Sequence, residues 1–237
     1  MLSYQLIRSS KRKTVGLQVK HCKIIIRAPK YVSEKEIANI VDAKSMWLQR
    51  KVAEQKNHPP ITNDTYRENS QLLINGEFKT LQINFALFAD VIIDENSIVV
   101  ILTNRVKAKI AEDLALQDKY VKQSLEAWLK LQTMSYIDQT LSHYAEQIGV
   151  LPKSFKVRLY KSRWGSCNSR GELSFSSLLA MAPHWVIDYV IVHELCHLQH
   201  MNHSALFWQL VEQNFPNFRR AKAWLKLHQS QLQWPIL

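Results

Sequence analysis

The run VIVHELCHLQHMNHSALFW, residues 190–208, places four histidines, one glutamate and one cysteine in a largely apolar context. Within it, His193, Glu194 and His197 spell H-E-x-x-H. On an α-helix, residues four apart lie one above the other on a single face, so both imidazoles can reach one ion. Glu194 sits about 100° further round the axis. From there it need not ligate, but it can reach a water next to the ion. Hydrolysis needs that division of labour: neutral imidazoles hold Zn²⁺ as a Lewis acid, the ion lowers the pKa of its water, and the carboxylate takes the proton. Random placement of these histidines and glutamates predicts about 0.02 copies of the motif, so coincidence is a poor account of it.

A catalytic zinc needs a third protein ligand and one open position. His203, ten residues after His193, is the candidate, and the chain must turn back after Met201 to bring it home. Asn202 is placed to make that turn, because Asn tolerates left-handed angles, and Ser204 then caps the following helix. The remaining candidates have plainer readings. His200 falls in the last helical turn, where a histidine needs no metal to explain it. His184 lies beside Pro183 at the helix start and reads as surface. Cys196 could approach the ion from position i+3, but reads as a small buried packing residue.

The motif must sit on a rigid frame, and the flanking sequence supplies one. Near the N-terminus, YQLIRSS, TVGLQVK and CKIIIRAP read as strands rich in β-branched residues. Ser33 and Glu36 form a capping box that opens a helix running to about Lys56. HPPITND ends it. QLLINGEFKTLQINF reads as a hairpin at Asn75-Gly76 and DVIIDENSIVVIL as a second, around Asp94-Glu95-Asn96. From about Asn104 the pattern is helical, as one helix or two, ending at Gly149. SFKVRLY is a strand, KSRWGSCNSRGEL a polar loop and LSFSSLLAMAP a second strand. Pro183 opens the motif helix, expected from about His184 to Met201. Two more helices follow, Ser204 to Asn214 and a basic one over residues 217–233. The order predicts an α+β fold, a β-rich part with one helix over 1–103 followed by a helical, metal-binding catalytic part over 104–237, the two read together as one continuous unit.

Composition narrows the class. With 46% hydrophobic and 22% charged residues in 237, the chain is globular. It has no apolar run long enough for a membrane span and no apolar core of a signal peptide. Three cysteines do not make a disulfide framework. These features predict a cytoplasmic protein with reduced thiols and no membrane partner. The net charge of +11 is uneven. Residues 1–60 carry 13 basic and 4 acidic side chains, 61–150 carry 8 and 12, and 151–237 carry 10 and 4. The basic N-terminal segment RSSKRKTVGLQVKHCK is a candidate contact for nucleic acid.

Three stretches, RWGSCNSRGELSFSSLLAMAP, VIVHELCHLQHMNHSALFW and RSSKRKTVGLQVKHCKIIIRAP, resemble the YgjP-like metallopeptidase family, a zincin-type group related to the SprT-like and WLM metalloproteases. The resemblance implies a zincin-like catalytic part built on the HExxH helix, with one Zn²⁺ per chain held by His193, His197 and His203 and with Glu194 as general base. It also implies a strand beside that helix, lining the substrate groove, at about Leu173–Ser177 or in the loop before it. The better-known metzincins differ: they carry Gly where this chain has His200, and a methionine turn after the third histidine that is missing here.

Three functions fit these residues. The first is a zinc peptidase acting on protein or peptide, with Arg163 or a tyrosine helping to stabilise the oxyanion. The second is a metal-dependent nucleotide phosphoanhydride hydrolase, a nucleoside triphosphate pyrophosphatase, with Lys161, Arg163 and Arg170 holding phosphates. No Walker-type loop or Mg²⁺-type acidic cluster supports it. The third is a nucleic-acid-associated protease or metal-binding module, but a structural zinc would use four protein ligands and three are evident. Trp164, between basic residues, reads either as a hydrophobic anchor for its loop or as a surface that stacks on substrate.

Overall fold

The computed structural model describes residues 2–20, 22–57, 66–110, 113–160, 162–229 and 231–232. The first 60 residues form one compact unit. Strands β1 (Tyr4–Ser9), β2 (Gly16–Lys20) and β3 (Lys23–Pro29) make a sheet with β3 in the middle, parallel to β1 and antiparallel to β2. Alternation in β3 sends Ile24, Ile26 and Ala28 into a core shared with Ile37, Val41 and Leu48. The capping box forms as expected: the Ser33 hydroxyl accepts from the Glu36 N–H, and the Glu36 carboxylate accepts from the Ser33 N–H. The helix it opens is broken at Lys44 (φ −110°, ψ 11°) into α1 (Glu34–Ala43) and α2 (Ser45–Asn57). The expected single helix is therefore two.

The second unit spans residues 61–237. Strands β4 (Gln71–Ile74), β5 (Glu77–Ala86), β6 (Asp90–Ile93) and β7 (Ser97–Thr103) form a sheet in the order β4-β5-β7-β6. Both expected hairpins are present, and β5 lies parallel to β7. A short helix, α3 (Asn104–Ile110), precedes the long α4 (Leu114–Ile148), which is capped by Asp113 and stopped by left-handed Gly149. Buried residues recur along α4 at Val121, Leu125, Leu129, Ile137 and Leu141. That stripe shares one core with Leu73, Leu81, Ile98 and Val100 of the sheet. The chain therefore divides at 60/61, where the sequence reading set its division at 103/104, because β4–β7 pack with α4.

The elements around the H-E-x-x-H stretch complete this unit. Strands β8 (Ser154–Arg158), β9 (Gly165–Cys167) and β10 (Glu172–Ser176) pair in the order β8-β10-β9. A 3₁₀ turn (Ser177–Met181) leads into α5 (His184–Cys196), followed by α6 (Ala205–Asn214) and α7 (Phe218–Leu227). α5 is apolar nearly all round, as suits a helix enclosed by its neighbours. Thr133 of α4 accepts from the Ala180 N–H and donates to the Ser177 carbonyl, which fixes the 3₁₀ turn just before α5. Among the described residues no helix is long and apolar enough to cross a membrane.

Asn75 (φ 52°) and Gly76 (φ 83°) hold the β4–β5 turn against that same entry, their N–H groups donating to Ala180 and Met181. A Cβ on Gly76 would strike the Pro183 ring. Gly76→Val therefore adds backbone strain to a steric clash. It should destabilise the fold by about 1–3 kcal/mol, read as a lower midpoint in chemical denaturation. An unchanged midpoint would show that the turn does not brace α5.

Candidate metal centre

α5 ends at Cys196, five residues before its expected end at Met201, but His197 keeps helical angles (φ −66°, ψ −19°). His193 and His197 therefore still share a face. The chain reverses over residues 197–202 and Ser204 caps α6, accepting from the Phe207 N–H. His203 returns to the first two histidines, but Asn202 does so without a left-handed backbone, since the described non-glycine residues with positive φ are Cys22, Asn69 and Asn75. One ring nitrogen from each of His193, His197 and His203 lies within 4.8 Å of the others. The Nε2 atoms of His193 and His203 are 3.1 Å apart.

Nitrogens that converge in this way could hold a cation. The His200 carbonyl lies 3.0 Å from Nδ1 of His197 and can only accept, so Nδ1 carries the proton and Nε2 carries a lone pair. Tyr189 Oη stands 3.5 Å from Nδ1 of His193. A proton is a poor occupant. Burial, with His197, His203 and Lys222 adding to it, pushes the His193 pKa down to about 3. Burial lowers His197 as well, with His203 adding to that, while the hydrogen bond to His200 opposes it. Neutral imidazoles so arranged match a divalent cation: in a tetrahedral site with metal–nitrogen bonds of about 2.0–2.1 Å, ligand nitrogens stand about 3.3 Å apart. Among the described residues these three histidines alone form such a cluster. Cys196 is fully buried and burial raises its thiol to about 12, which keeps it protonated.

Glu194 stands outside the cluster and is 5% exposed. Its burial pushes the carboxyl pKa up to about 8, against an opposing pull from Arg163. β9 explains its position. A Cβ on Gly165 would meet Glu194 Oε1 at 2.5 Å and Cδ at 2.8 Å, so this glycine is required for space and not for its backbone angles. The strand beside the motif helix is thus the three-residue β9, inside the expected loop, while Leu173–Ser176 form the buried middle strand.

The sequence-derived substrate candidates separate. Trp164 packs on the core, as an anchor for its loop would, and also borders a cavity of about 330 Å³ beside His193 and Glu194. Arg163 is exposed, over the Tyr160 ring and near enough to act on Glu194. Arg170 sits in the β9–β10 turn, 3.8 Å from Glu172, and does not line the cavity. Lys161 lies outside the described residues. His184, read as surface, is exposed but stacks on Tyr136 at 4.3 Å.

Several contributors escaped the sequence reading. Phe207 stacks on His197 at 4.5 Å and Trp208 on His203 at 5.7 Å, so α6 braces two of the three histidines with aromatic faces. Their signal was present as an aromatic pair in the first turn after His203. His200 serves through its carbonyl, which no side-chain pattern reveals. Gly165, Lys222 and Lys226 also belong to the surroundings of the site.

In chelated protein the buried histidines and Glu194 act in opposite directions on stability. His193 titrates near 6.5 unfolded and about 3 folded, so stability falls as pH drops below 6.5. Glu194 titrates near 4.5 unfolded and about 8 folded, so stability falls as pH rises from 4.5 to 8. Between 6.5 and 8 only the glutamate acts. The Tm advantage of metal-free Glu194→Gln over wild type should therefore grow across that interval. An advantage that stays constant with pH would contradict the carboxylate's burial.

The family described as YgjP-like, metallopeptidase domain, matches residues 13–228. No curated protein matches. Among solved structures, the metallopeptidase zymogen of Pyrococcus abyssi abylysin is similar, with 21% identity and a TM-score of 0.35, over 40% of this chain and 97% of that one.

Proposed function

The chain belongs to the YgjP-like metallopeptidase family, and from that premise we propose that it is a zinc-dependent peptidase in which Glu194 is the general base. The observation that carries this reading is the pairing of three converging imidazole nitrogens with a buried carboxylate that is not one of them. His193, His197 and His203 hold the ion. When bound, Zn²⁺ supplies Lewis acidity and makes water a nucleophile near neutral pH. Three protein ligands leave a coordination position open, as catalysis requires and a structural site does not.

Glu194 takes a proton from the attacking water and passes it to the leaving amine. Its burial keeps that proton out of bulk solvent, and Gly165 leaves the space that the carboxylate occupies. Tyr189 stays protonated, burial raising it to about 12, and its hydroxyl orients His193. Arg163 is the nearby cation suited to an oxyanion. The nucleotide reading has less support, because Arg170 is engaged with Glu172.

Glu194→Gln should retain its metal and lose about 10²–10⁴-fold in turnover of an unstructured protein. Gly165→Ala should act in the same direction by displacing the carboxylate. Metal content by mass spectrometry and cleavage assays, run with a nucleoside triphosphate panel, test both. Unchanged turnover in Glu194→Gln removes the general-base role. Glu194-dependent phosphate or pyrophosphate release without proteolysis rejects the peptidase reading.

A further inference from the structure

The cavity of about 330 Å³ beside His193 and Glu194 has two unlike walls. On one side stand Trp164 and Gly165, and on the floor Val190 of α5. The other wall is α7 and the residues just after it, which present Lys222, Leu225, Lys226 and Gln229. Positions i, i+3, i+4 and i+7 share one helical face, so this side of α7 is directed at the cavity. The segment FRRAKAWLKL carries four basic residues and no acidic one. Arg219 pairs with Glu212 and Arg220 lies over Trp185. Lys222 is steadied over the Trp208 ring at 4.2 Å, and neither Lys222 nor Lys226 forms an ion pair among the described residues.

Two lysines without an ionic partner thus border a half-apolar cavity that opens on the reacting groups. We propose that this cavity is a specificity pocket for a substrate carboxylate, with Lys222 and Lys226 receiving an Asp or Glu side chain, or a free C-terminal carboxylate, next to the scissile bond. The proposal rests on the peptidase reading. A single carboxylate suits the pocket better than a polyphosphate. The lysines lie in the middle and last turn of α7, away from the N-terminal N–H groups that phosphates favour. Trp164, Val190 and Leu225 offer apolar contact to the methylenes of an acidic side chain. Lys222 also faces His193, which places the bound charge close to the metal ligands.

The test uses the full zinc-loaded chain and a mixture of short peptides with free or amidated C-termini, with cut sites mapped by mass spectrometry. Wild type should favour Asp and Glu over Asn and Gln at one position flanking the cut by roughly tenfold, the scale of one charge-assisted contact. Lys222→Glu/Lys226→Glu should abolish that preference and favour Lys and Arg there instead. A preference lost on amidation assigns the carboxylate to the chain terminus, and one that survives assigns it to a side chain. In parallel, zinc-loaded Glu194→Gln should bind an acidic octapeptide about tenfold more tightly than its Asn/Gln twin. Lys222→Ala/Lys226→Ala in that background should remove the difference. Cleavage with no acidic preference overturns this proposal and leaves the peptidase reading intact. Absence of both cleavage and carboxylate-dependent binding overturns both. Lysine-dependent binding of a nucleoside triphosphate, with none of the acidic peptide, reassigns the pocket to phosphate and overturns the proposal.

Discussion

Polar groups buried on an apolar helix must find partners, and the arrangement around α5 follows from that requirement. Burying an unpaired polar side chain costs roughly 1–3 kcal/mol and a lone charge far more. α5 carries Glu194 at 5% exposure and presents His193 and His197 to one point, where His203 joins them. Burial drives the protons off His193 and His197. A divalent cation would accept the lone pairs that neutral imidazoles turn towards it. Glu194 meets the same difficulty by keeping a proton, or by lying near a positive charge. A metal ion held there would answer both the stability of the helix and the proposed chemistry.

Precision at such a centre comes from the elements around it. The His200 carbonyl sets the tautomer of His197, and the Phe207 and Trp208 rings support His197 and His203 from α6. β9 approaches closely enough that only glycine fits at position 165. The Thr133 hydroxyl and the Asn75-Gly76 turn grip the 3₁₀ segment that starts α5. α4, β4–β7 and α5 share one hydrophobic core, so the histidines of α5 rest on the buried part of this unit.

The parts legible in the sequence were those carried by local spacing. H-E-x-x-H placed two imidazoles on one face and a carboxylate off it through helical periodicity alone. His203 needed only a short return, and Ser204, Asn75-Gly76 and Gly149 marked their cap and turns. β9 escaped because three residues beginning with glycine show no strand alternation, and its identity depends on pairing with β10. The break at Lys44 has no proline or glycine to announce it. Lys222 and Lys226 were read as part of a basic helix, because nothing local indicates that a segment some thirty residues beyond Glu194 packs back beside it. Charge counting detected the excess without locating it. Long-range packing decided each of these cases.

X-ray absorption at the zinc edge of the zinc-loaded chain tests the central claim most directly. A centre built from His193, His197 and His203 with one position left for water predicts three imidazole nitrogens, one further oxygen and no sulfur. A sulfur shell would bring in a cysteine, and a fourth imidazole would close the site. Either result would contradict a catalytic centre of this design.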